Sequence, residues 1–129
     1  MTIFSKIIAG EIPSYKIAED ENFFAFLDIS PLVMGHVLVV PKNETDKIYD
    51  LSDAYLQSML VFAKPICYAL EKATGCKRVG MSVIGLEVPH AHLHLLPINE
   101  MNDTNFTNQK LQLSEEEFKN IQQKIINHL

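Results

Sequence analysis

Two rhythms of apolar residues run along the chain, and together they predict five short strands and three helices. Apolar residues three and four positions apart indicate amphipathic helices, whereas short apolar runs that end at turn residues indicate strands. The predicted strands cover residues 15–18, 23–29, 36–40, 79–84 and 91–96. A short helix is predicted at 3–8, and the polar, aperiodic segment 99–110 is predicted to be a loop.

The two longer helices carry recognisable signals at their ends. Ser52 and Gly75 are the expected N-cap and C-terminal stop of the long helix. Pro65 lies inside this helical pattern, and we expect a kink or an interruption there because proline removes a hydrogen-bond donor. Ser114 and Glu117 form a capping box that begins the last helix.

The order of these elements predicts the fold class. The strands follow one another through mostly short connections, with one long helix inserted and another at the end, instead of alternating strictly with helices. This order is typical of an α+β fold with a mainly antiparallel sheet of about five strands. A chain of 129 residues is the size of one domain, and we treat residues 1–129 as one domain.

Composition and charge narrow the possible partners. The net charge of −5 argues against a protein that binds nucleic acid polymers through counterion release. No apolar run approaches the ~20 residues that span a bilayer, and the first residues lack the basic and apolar regions of a secretory signal. Cys67 and Cys76 form no redox or zinc motif, so we expect reduced thiols and a cytoplasmic location.

The most informative segment holds three of the five histidines. Side chains of a strand alternate between two faces, so we expect His90, His92 and His94 to share one face while the apolar residues between them face the core. Such a face can bind a metal, because His-x-His on a strand is a common zinc-binding arrangement. It can also support nucleophilic chemistry, because a neutral imidazole can attack phosphorus while neighbouring imidazoles contact phosphate oxygens and move protons.

The segment 90–96, which reads His-Ala-His-Leu-His-Leu-Leu, resembles the motif of the histidine triad (HIT) family of nucleotide hydrolases and transferases. The segments 3–13, 26–31 and 35–42 resemble further blocks of the Hint-like branch in the same order, so that the resemblance covers about residues 2–97. It implies a HIT-like fold and a homodimer formed through the long helix and an adjacent strand. The implied reaction takes place at the α-phosphate of purine nucleotide conjugates, such as nucleoside phosphoramidates, adenylates or dinucleoside polyphosphates.

The resemblance also implies a role for each site residue. His92 is the expected nucleophile, with its other ring nitrogen held by a nearby backbone carbonyl, and His94 is expected to contact the phosphate or the leaving group. His90 and His36 are expected to support the triad. Asp28 is expected to bond the ribose hydroxyls, because a carboxylate accepts two hydrogen bonds well. The other expected nucleotide-binding residues are Ile3, Phe4, Ile7, Phe26, Leu27, Ile29, Glu87 and Val88.

The chain departs from the family pattern at the positions of a structural zinc site. Thr2 and Ser5 stand where many bacterial relatives have Cys-x-x-Cys, and Asn43 and Glu44 stand where a further histidine is frequent. We therefore expect the family zinc to be absent, and the residues require no metal or other cofactor for the implied reaction.

A second departure precedes the triad. Leu86 and Glu87 replace the usual Gln and Ser, and a family Asn in this region has no obvious counterpart. A carboxylate here repels phosphate unless it is protonated or turned away, although Glu87 can also act as general acid if its pKa is raised. Two alternatives stay open: a nucleotide-binding module with little catalysis, and a metal-binding His-x-His strand. The part 99–129 is not expected to hold an active-site residue.

Overall fold

An antiparallel sheet of five strands forms the centre of the computed structural model, which describes residues 1–129. The strands are β1 (Lys16–Glu19), β2 (Phe23–Leu27), β3 (Val37–Pro41), β4 (Arg78–Ser82) and β5 (Leu93–Ile98). Their order across the sheet is β1-β2-β3-β5-β4, so the triad strand β5 lies beside β3. The helices are α1 (Ile3–Ile8), α2 (Asp53–Thr74) and α3 (Glu115–Ile126), with short 3-10 turns at Ile48–Asp50 and Met101–Thr104. The predicted α+β class is confirmed.

The two faces of the sheet bury different sets of side chains. Because side chains alternate along a strand, neighbouring residues of β2 and β3 point in opposite directions. One face packs against α2 and α3 and contributes to the main core Phe23, Ala25, Leu27, Val37, Val39, Leu93 and Leu95. The other face carries Phe24, Phe26, Leu38 and Val40, which pack against Phe4 of α1. His94 pairs with Leu38 across β5 and β3, which places it on this second face.

The helix ends follow the sequence signals. Ser52 and Ser114 accept the predicted N-cap hydrogen bonds, and Gly75 ends α2 in the left-handed conformation at φ 70°. The interruption expected at Pro65 does not occur, because α2 continues through that residue while Ala63 and Ile66 on either side of it are fully buried in the core. Burial of the helix face therefore outweighs the loss of one hydrogen-bond donor. No helix combines the length and the apolar character needed to cross a membrane.

Every strand differs from its predicted bounds by one or two residues at one end or both, and three of these differences lie near the pocket. β2 ends at Leu27, and Ile29 lies in the following turn with 69% of its surface exposed. β4 ends at Ser82 instead of residue 84. β5 begins at Leu93 instead of residue 91, because the preceding backbone bonds to loops: His90 N donates to the carbonyl of Val88, and Ala91 N donates to the carbonyl of Thr45. The first two triad histidines thus precede the sheet ladder.

Candidate active site

A pocket of about 400 Å³ opens on the sheet face that α1 covers. Its walls come from α1, the turn after β2, the start of β3, the segment before β5, β5 itself and the loop after β5. The lining residues are Ile3, Phe4, Asp28, Ser30, His36, Leu38, Ile84, Gly85, Leu86, Glu87, Val88, His92, His94, Phe106 and Lys110. Three of the five histidines of the chain therefore share one pocket with two carboxylates and a lysine.

The orientation of the His92 ring follows from one short hydrogen bond. Its Nδ1 lies 2.7 Å from the backbone carbonyl of His90. A carbonyl can only accept, so Nδ1 carries the proton and a neutral ring keeps the lone pair on Nε2. The ring is 8% exposed and packs edge-on against the rings of Phe4 and His94, with 5.0 Å between centroids in each pair. The backbone carbonyl expected for this ring is therefore that of His90.

His36 and His94 form a hydrogen-bonded pair in which the protons lie on Nε2 instead of Nδ1. The backbone N–H of Leu32 donates to Nδ1 of His36, so the proton of a neutral His36 lies on Nε2. This Nε2 donates to Nδ1 of His94 across 2.9 Å. A neutral His94 then carries its proton on Nε2. The pocket thus holds one imidazole acceptor, on His92, and one imidazole donor, on His94.

Burial keeps this histidine pair uncharged. Loss of solvation lowers the pKa of His36 to about 3, with the neighbouring His94 as the next cause. Burial also lowers the pKa of His94 to about 4, with His92 as the second cause. Both groups are therefore neutral at neutral pH, and the proton positions deduced from their hydrogen bonds apply there.

His90 does not line the pocket. Its ring is fully buried, with Nε2 2.8 Å from the Pro41 carbonyl and Nδ1 2.7 Å from the hydroxyl of Thr2. Burial lowers the pKa of His90, and the hydrogen bond to the Pro41 carbonyl opposes this effect. His90 nevertheless lies on the α1 side with His92, because both rings pack edge-on against Phe4. It precedes β5 and lies outside the pocket.

Asp28 stands at the end of β2 with its carboxylate beside the histidine pair. One oxygen accepts a hydrogen bond from the backbone N–H of Ser30, and the other lies 3.7 Å from Nε2 of His36. Burial raises the pKa of this carboxyl. Because His36 is neutral, the contact is not an ion pair, and the carboxylate keeps acceptor capacity that a ligand in the pocket can use.

The structure separates the predicted nucleotide-binding residues into two groups. Five of them line the pocket: Ile3, Phe4, Asp28, Glu87 and Val88. Ile7 and Phe26 belong to the apolar cluster behind Phe4, and Leu27 lies on the opposite face of the sheet in the main core. Ile29 is exposed in the turn after β2. The prediction that Leu27 lines the pocket is wrong because neighbouring strand residues face opposite sides of the sheet.

The loop 99–110 contributes two residues that the sequence analysis missed. The ring of Phe106 packs edge-on against His94 at 4.9 Å between centroids and against His36 at 6.3 Å. Lys110 donates from Nζ to the carbonyls of Phe106 and Asn108 and is the one lysine or arginine that lines the pocket. The expectation that residues 99–129 hold no active-site residue did not anticipate that this loop lines the pocket. A polar segment without periodicity gave no signal of this contact.

The metal alternative has a possible donor set in this pocket. Ligand atoms of Asp28, His36 and His94 lie within 4.8 Å of one another. The facing ring nitrogens of the two histidines, however, share a hydrogen bond, and a metal ion bridging them would have to displace its proton. The His-x-His pair fits a metal poorly as well, because both ring nitrogens of His90 already have hydrogen-bond partners.

A five-stranded antiparallel sheet with a histidine-lined pocket is the arrangement expected of a histidine triad protein, and comparisons with known proteins agree. The HIT domain family model matches residues 9–101. An uncharacterized HIT-like protein of Borreliella burgdorferi is 36% identical over 131 residues, which cover 95% of this chain and 94% of that protein. The chain therefore belongs to the HIT family.

Further relatives include a named enzyme and solved structures. The adenosine 5′-monophosphoramidase HNT1 of Saccharomyces cerevisiae is 38% identical over 96 residues, which cover 74% of this chain and 61% of the yeast protein. A Hit-like protein from Bartonella henselae superposes with a TM-score of 0.85 at 28% identity, covering 99% of this chain and 96% of the other. A HIT family protein from Bacillus subtilis gives 0.75 at 32% identity, with the same coverage of both chains.

The buried histidine pair predicts a loss of stability in mild acid. In the unfolded chain both rings titrate near pH 6.5, whereas in the folded chain they titrate at about 3 and about 4. Between these limits the unfolded chain binds more protons, so the free energy of unfolding falls as the pH falls. We expect a decrease of about 2 kcal/mol per histidine between pH 7 and pH 5.

Urea denaturation at pH 7, 6 and 5 measures this dependence. We expect His94→Gln to reduce the pH slope, because it removes one of the two buried rings. His128→Gln is the matched control, since His128 is exposed near the chain end. A wild-type slope in His94→Gln would contradict the assignment of the acid sensitivity to this pair.

Proposed function

We propose that the protein is a nucleotide hydrolase or transferase that acts at the α-phosphate of purine nucleotide conjugates. The observation that carries this proposal is the opposite polarity of two adjacent imidazoles: His92 offers a lone pair and His94 offers an N–H to the same pocket. A nucleophile beside a hydrogen-bond donor suits attack on a phosphorus atom whose oxygens gain negative charge. The likeness to a yeast adenosine 5′-monophosphoramidase supports the same substrate class.

In the first step, the lone pair on Nε2 of His92 attacks the α-phosphorus. A bond forms between phosphorus and nitrogen, and the bond to the leaving group breaks with its electron pair going to the leaving atom. For a phosphoramidate this atom is nitrogen, which takes a proton from solvent at the exposed mouth of the pocket. His92 keeps its Nδ1 proton on the His90 carbonyl, which stabilises the imidazolium-like ring that results.

In the second step, water attacks the phosphorus of the nucleotidyl-histidine. The phosphorus–nitrogen bond breaks, its electron pair returns to Nε2 of His92, and the attacking water releases a proton to solvent. His94 donates from Nε2 to a phosphate oxygen in both steps. Neither step calls for a metal or another cofactor, because the nucleophile and the hydrogen-bond donor are both side chains of this chain.

The rest of the pocket is proposed to hold the nucleoside. Ile3, Phe4, Leu38 and Val88 provide apolar surface for a purine base. Asp28 accepts hydrogen bonds from the ribose hydroxyls through the carboxylate lone pairs that the Ser30 N–H leaves free.

Because both cysteines are free thiols, we also propose a cytoplasmic location.

Replacement of the proposed nucleophile tests the reaction directly. We expect His92→Ala to lower kcat for an adenosine 5′-phosphoramidate by at least about 10³-fold, because the unprotonated nitrogens of His36 and His94 already accept hydrogen bonds. Product release is measured by chromatography, and the nucleotidyl adduct on His92 by mass spectrometry of rapidly quenched enzyme. His128→Ala is the control and is expected to match wild type.

The competing function is nucleotide binding with little catalysis. The substitutions Leu86 and Glu87 favour this alternative, because they place an apolar group and a carboxylate where phosphate contacts are expected. Wild type that binds AMP but turns over the phosphoramidate no faster than His92→Ala would establish the binding module and reject the hydrolase.

Lys110 is proposed to supply the permanent positive charge for the substrate phosphate. Asp28 and Glu87 place two carboxylates in the pocket, and Lys110 is the one lysine or arginine beside them. We expect Lys110→Gln to raise KM about tenfold, because a charged hydrogen bond contributes roughly 1.5–3 kcal/mol, and to change kcat less. Lys77→Gln, on the exposed surface, is the control. Equal KM values for the two variants would remove Lys110 from the site.

We further propose that the chain forms a homodimer through α2 and β4. β4 is an edge strand, and the groove between it and α2 is lined almost entirely by apolar residues. The exposed apolar residues of this surface are Leu60, Val61, Met81 and Val83. A second copy that pairs along β4 would satisfy the open strand edge and cover these side chains.

Sedimentation velocity tests the assembly. We expect wild type to sediment with twice the 14.6 kDa mass of one chain, and Leu60→Glu to sediment as a monomer because it places a charge in the apolar surface. Met101→Glu changes an exposed methionine in the turn after β5, away from this surface, and is expected to stay dimeric. A dimeric Leu60→Glu would place the interface elsewhere.

A further inference from the structure

Four polar residues that do not line the pocket, one of them the first triad histidine, form a hydrogen-bonded group at the start of α1. They are Thr2, Ser5, Glu44 and His90, and we refer to them as the N-terminal cluster. Oε1 of Glu44 accepts from the backbone N–H of Thr2 at 2.8 Å and from the hydroxyl of Ser5 at 2.6 Å. The hydroxyl oxygen of Thr2 accepts from the backbone N–H of Ser5 at 3.1 Å and lies 2.7 Å from Nδ1 of His90.

The two ends of this cluster fix the direction of every proton in it. The Pro41 carbonyl can only accept, so Nε2 of His90 carries a proton and a neutral ring leaves Nδ1 unprotonated. The hydroxyl of Thr2 must then donate to Nδ1. At the other end the carboxylate of Glu44 can only accept, and its pKa is lowered by the hydrogen bonds from Ser5 and Thr2. The Thr2 hydroxyl also lies 3.4 Å from the Ser5 hydroxyl, but the shorter contacts direct the Thr2 proton to His90 and the Ser5 proton to Glu44.

The ring of His90 is connected to the proposed nucleophile through its own backbone. The segment 41–45 holds the ring at the Pro41 carbonyl and holds the next residue where Ala91 N donates to the Thr45 carbonyl at 2.6 Å. The carbonyl of His90 lies between these two anchors and accepts from Nδ1 of His92. A displacement of His90 as a whole, ring and backbone together, would move the carbonyl that sets the tautomer of His92.

The same cluster also holds α1 in place. This helix has six residues, too few to be stable alone, and Thr2 is its N-cap. Its Phe4 packs edge-on against His92 at 5.0 Å and against His90 at 5.7 Å between ring centroids. The hydrogen bonds of Thr2 and Ser5 to Glu44 therefore hold α1 in place, and with it the Phe4 ring that packs against His90 and His92.

We propose that the N-terminal cluster positions His92 for reaction: Thr2 and Glu44 hold the His90 ring, and the His90 carbonyl thereby keeps the proton of His92 on Nδ1. Thr2 and Glu44 are positioning residues, since neither lines the pocket. The effect on turnover rests on the proposed function, whereas the effect on the proton of His92 does not.

Imidazole nitrogen NMR of the full chain at pH 7 tests the positioning without a substrate. Wild-type His92 is expected to give the spectrum of a ring protonated at Nδ1. Thr2→Val removes the donor to His90 with little change in shape, and we expect the His92 nitrogens to shift toward a mixture of both tautomers. Thr2→Ser restores a hydroxyl and is expected to return the wild-type spectrum.

The kinetic arm uses the adenosine 5′-phosphoramidate. We expect Thr2→Val to lower kcat about tenfold while KM changes less than about twofold, because misorientation of a reacting group slows chemistry more than binding. Glu44→Ala is expected to act in the same direction, and Glu44→Gln, which keeps an acceptor oxygen, is expected to stay near wild type. Glu21→Ala, at an exposed position, is the matched control.

The results separate this proposal from the proposed function. Wild-type His92 spectra in both Thr2→Val and Glu44→Ala would overturn the positioning role, whatever their turnover. Shifted spectra that Thr2→Ser reverses would support it, even if wild type failed to hydrolyse the substrate and the proposed function were lost. Should Thr2→Val fail to fold by circular dichroism, the spectra of Glu44→Ala and Glu44→Gln decide, because Glu44 is partly exposed.

Discussion

The hydrogen bond between Nδ1 of His92 and the carbonyl of His90 is the interaction on which the candidate chemistry depends. It connects the side chain of one residue to the backbone two positions earlier, at the turn of the backbone that precedes β5. That turn is maintained by the contacts of His90 with Pro41 and Thr2 and by the pairing of Ala91 with Thr45. The local departure from a regular ladder thus determines which imidazole nitrogen faces the pocket.

Burial determines the charge of the other two histidines in the pocket, His36 and His94. An acidic chain with a net charge of −5 is an unexpected host for the phosphate of the proposed substrate. Two features of the pocket suit an anion despite this net charge. Desolvation keeps His36 and His94 uncharged, so that they act as neutral donors and acceptors. The ammonium group of Lys110 adds one positive charge. Polar groups whose directions are fixed by hydrogen bonds stabilise charge without the cost of reorganising water.

Each face of the sheet packs into a different apolar cluster, and this separation explains why Leu27 does not line the pocket although Phe26 lies behind it. Strand alternation sends Leu27 and Leu95 to the main core and Phe26 and His94 to the opposite face. The sequence pattern was sufficient to locate the strands and the long helix, because apolar periodicity and capping residues are local signals. It was insufficient at Pro65, where packing of the helix against the sheet outweighs one missing hydrogen bond.

By itself the sequence determined the fold class, the family and the residues around His92, because each depends on neighbours within a few positions and on motifs in a fixed order. Only the tertiary structure decided that His90 lies outside the pocket lining, that Phe106 packs against His94, and that Lys110 lines the pocket. These contacts join segments far apart along the chain. The sequence of a loop without periodicity does not indicate which surface the loop packs against. The contacts of residues 99–110 with the pocket could therefore be seen only in the folded chain.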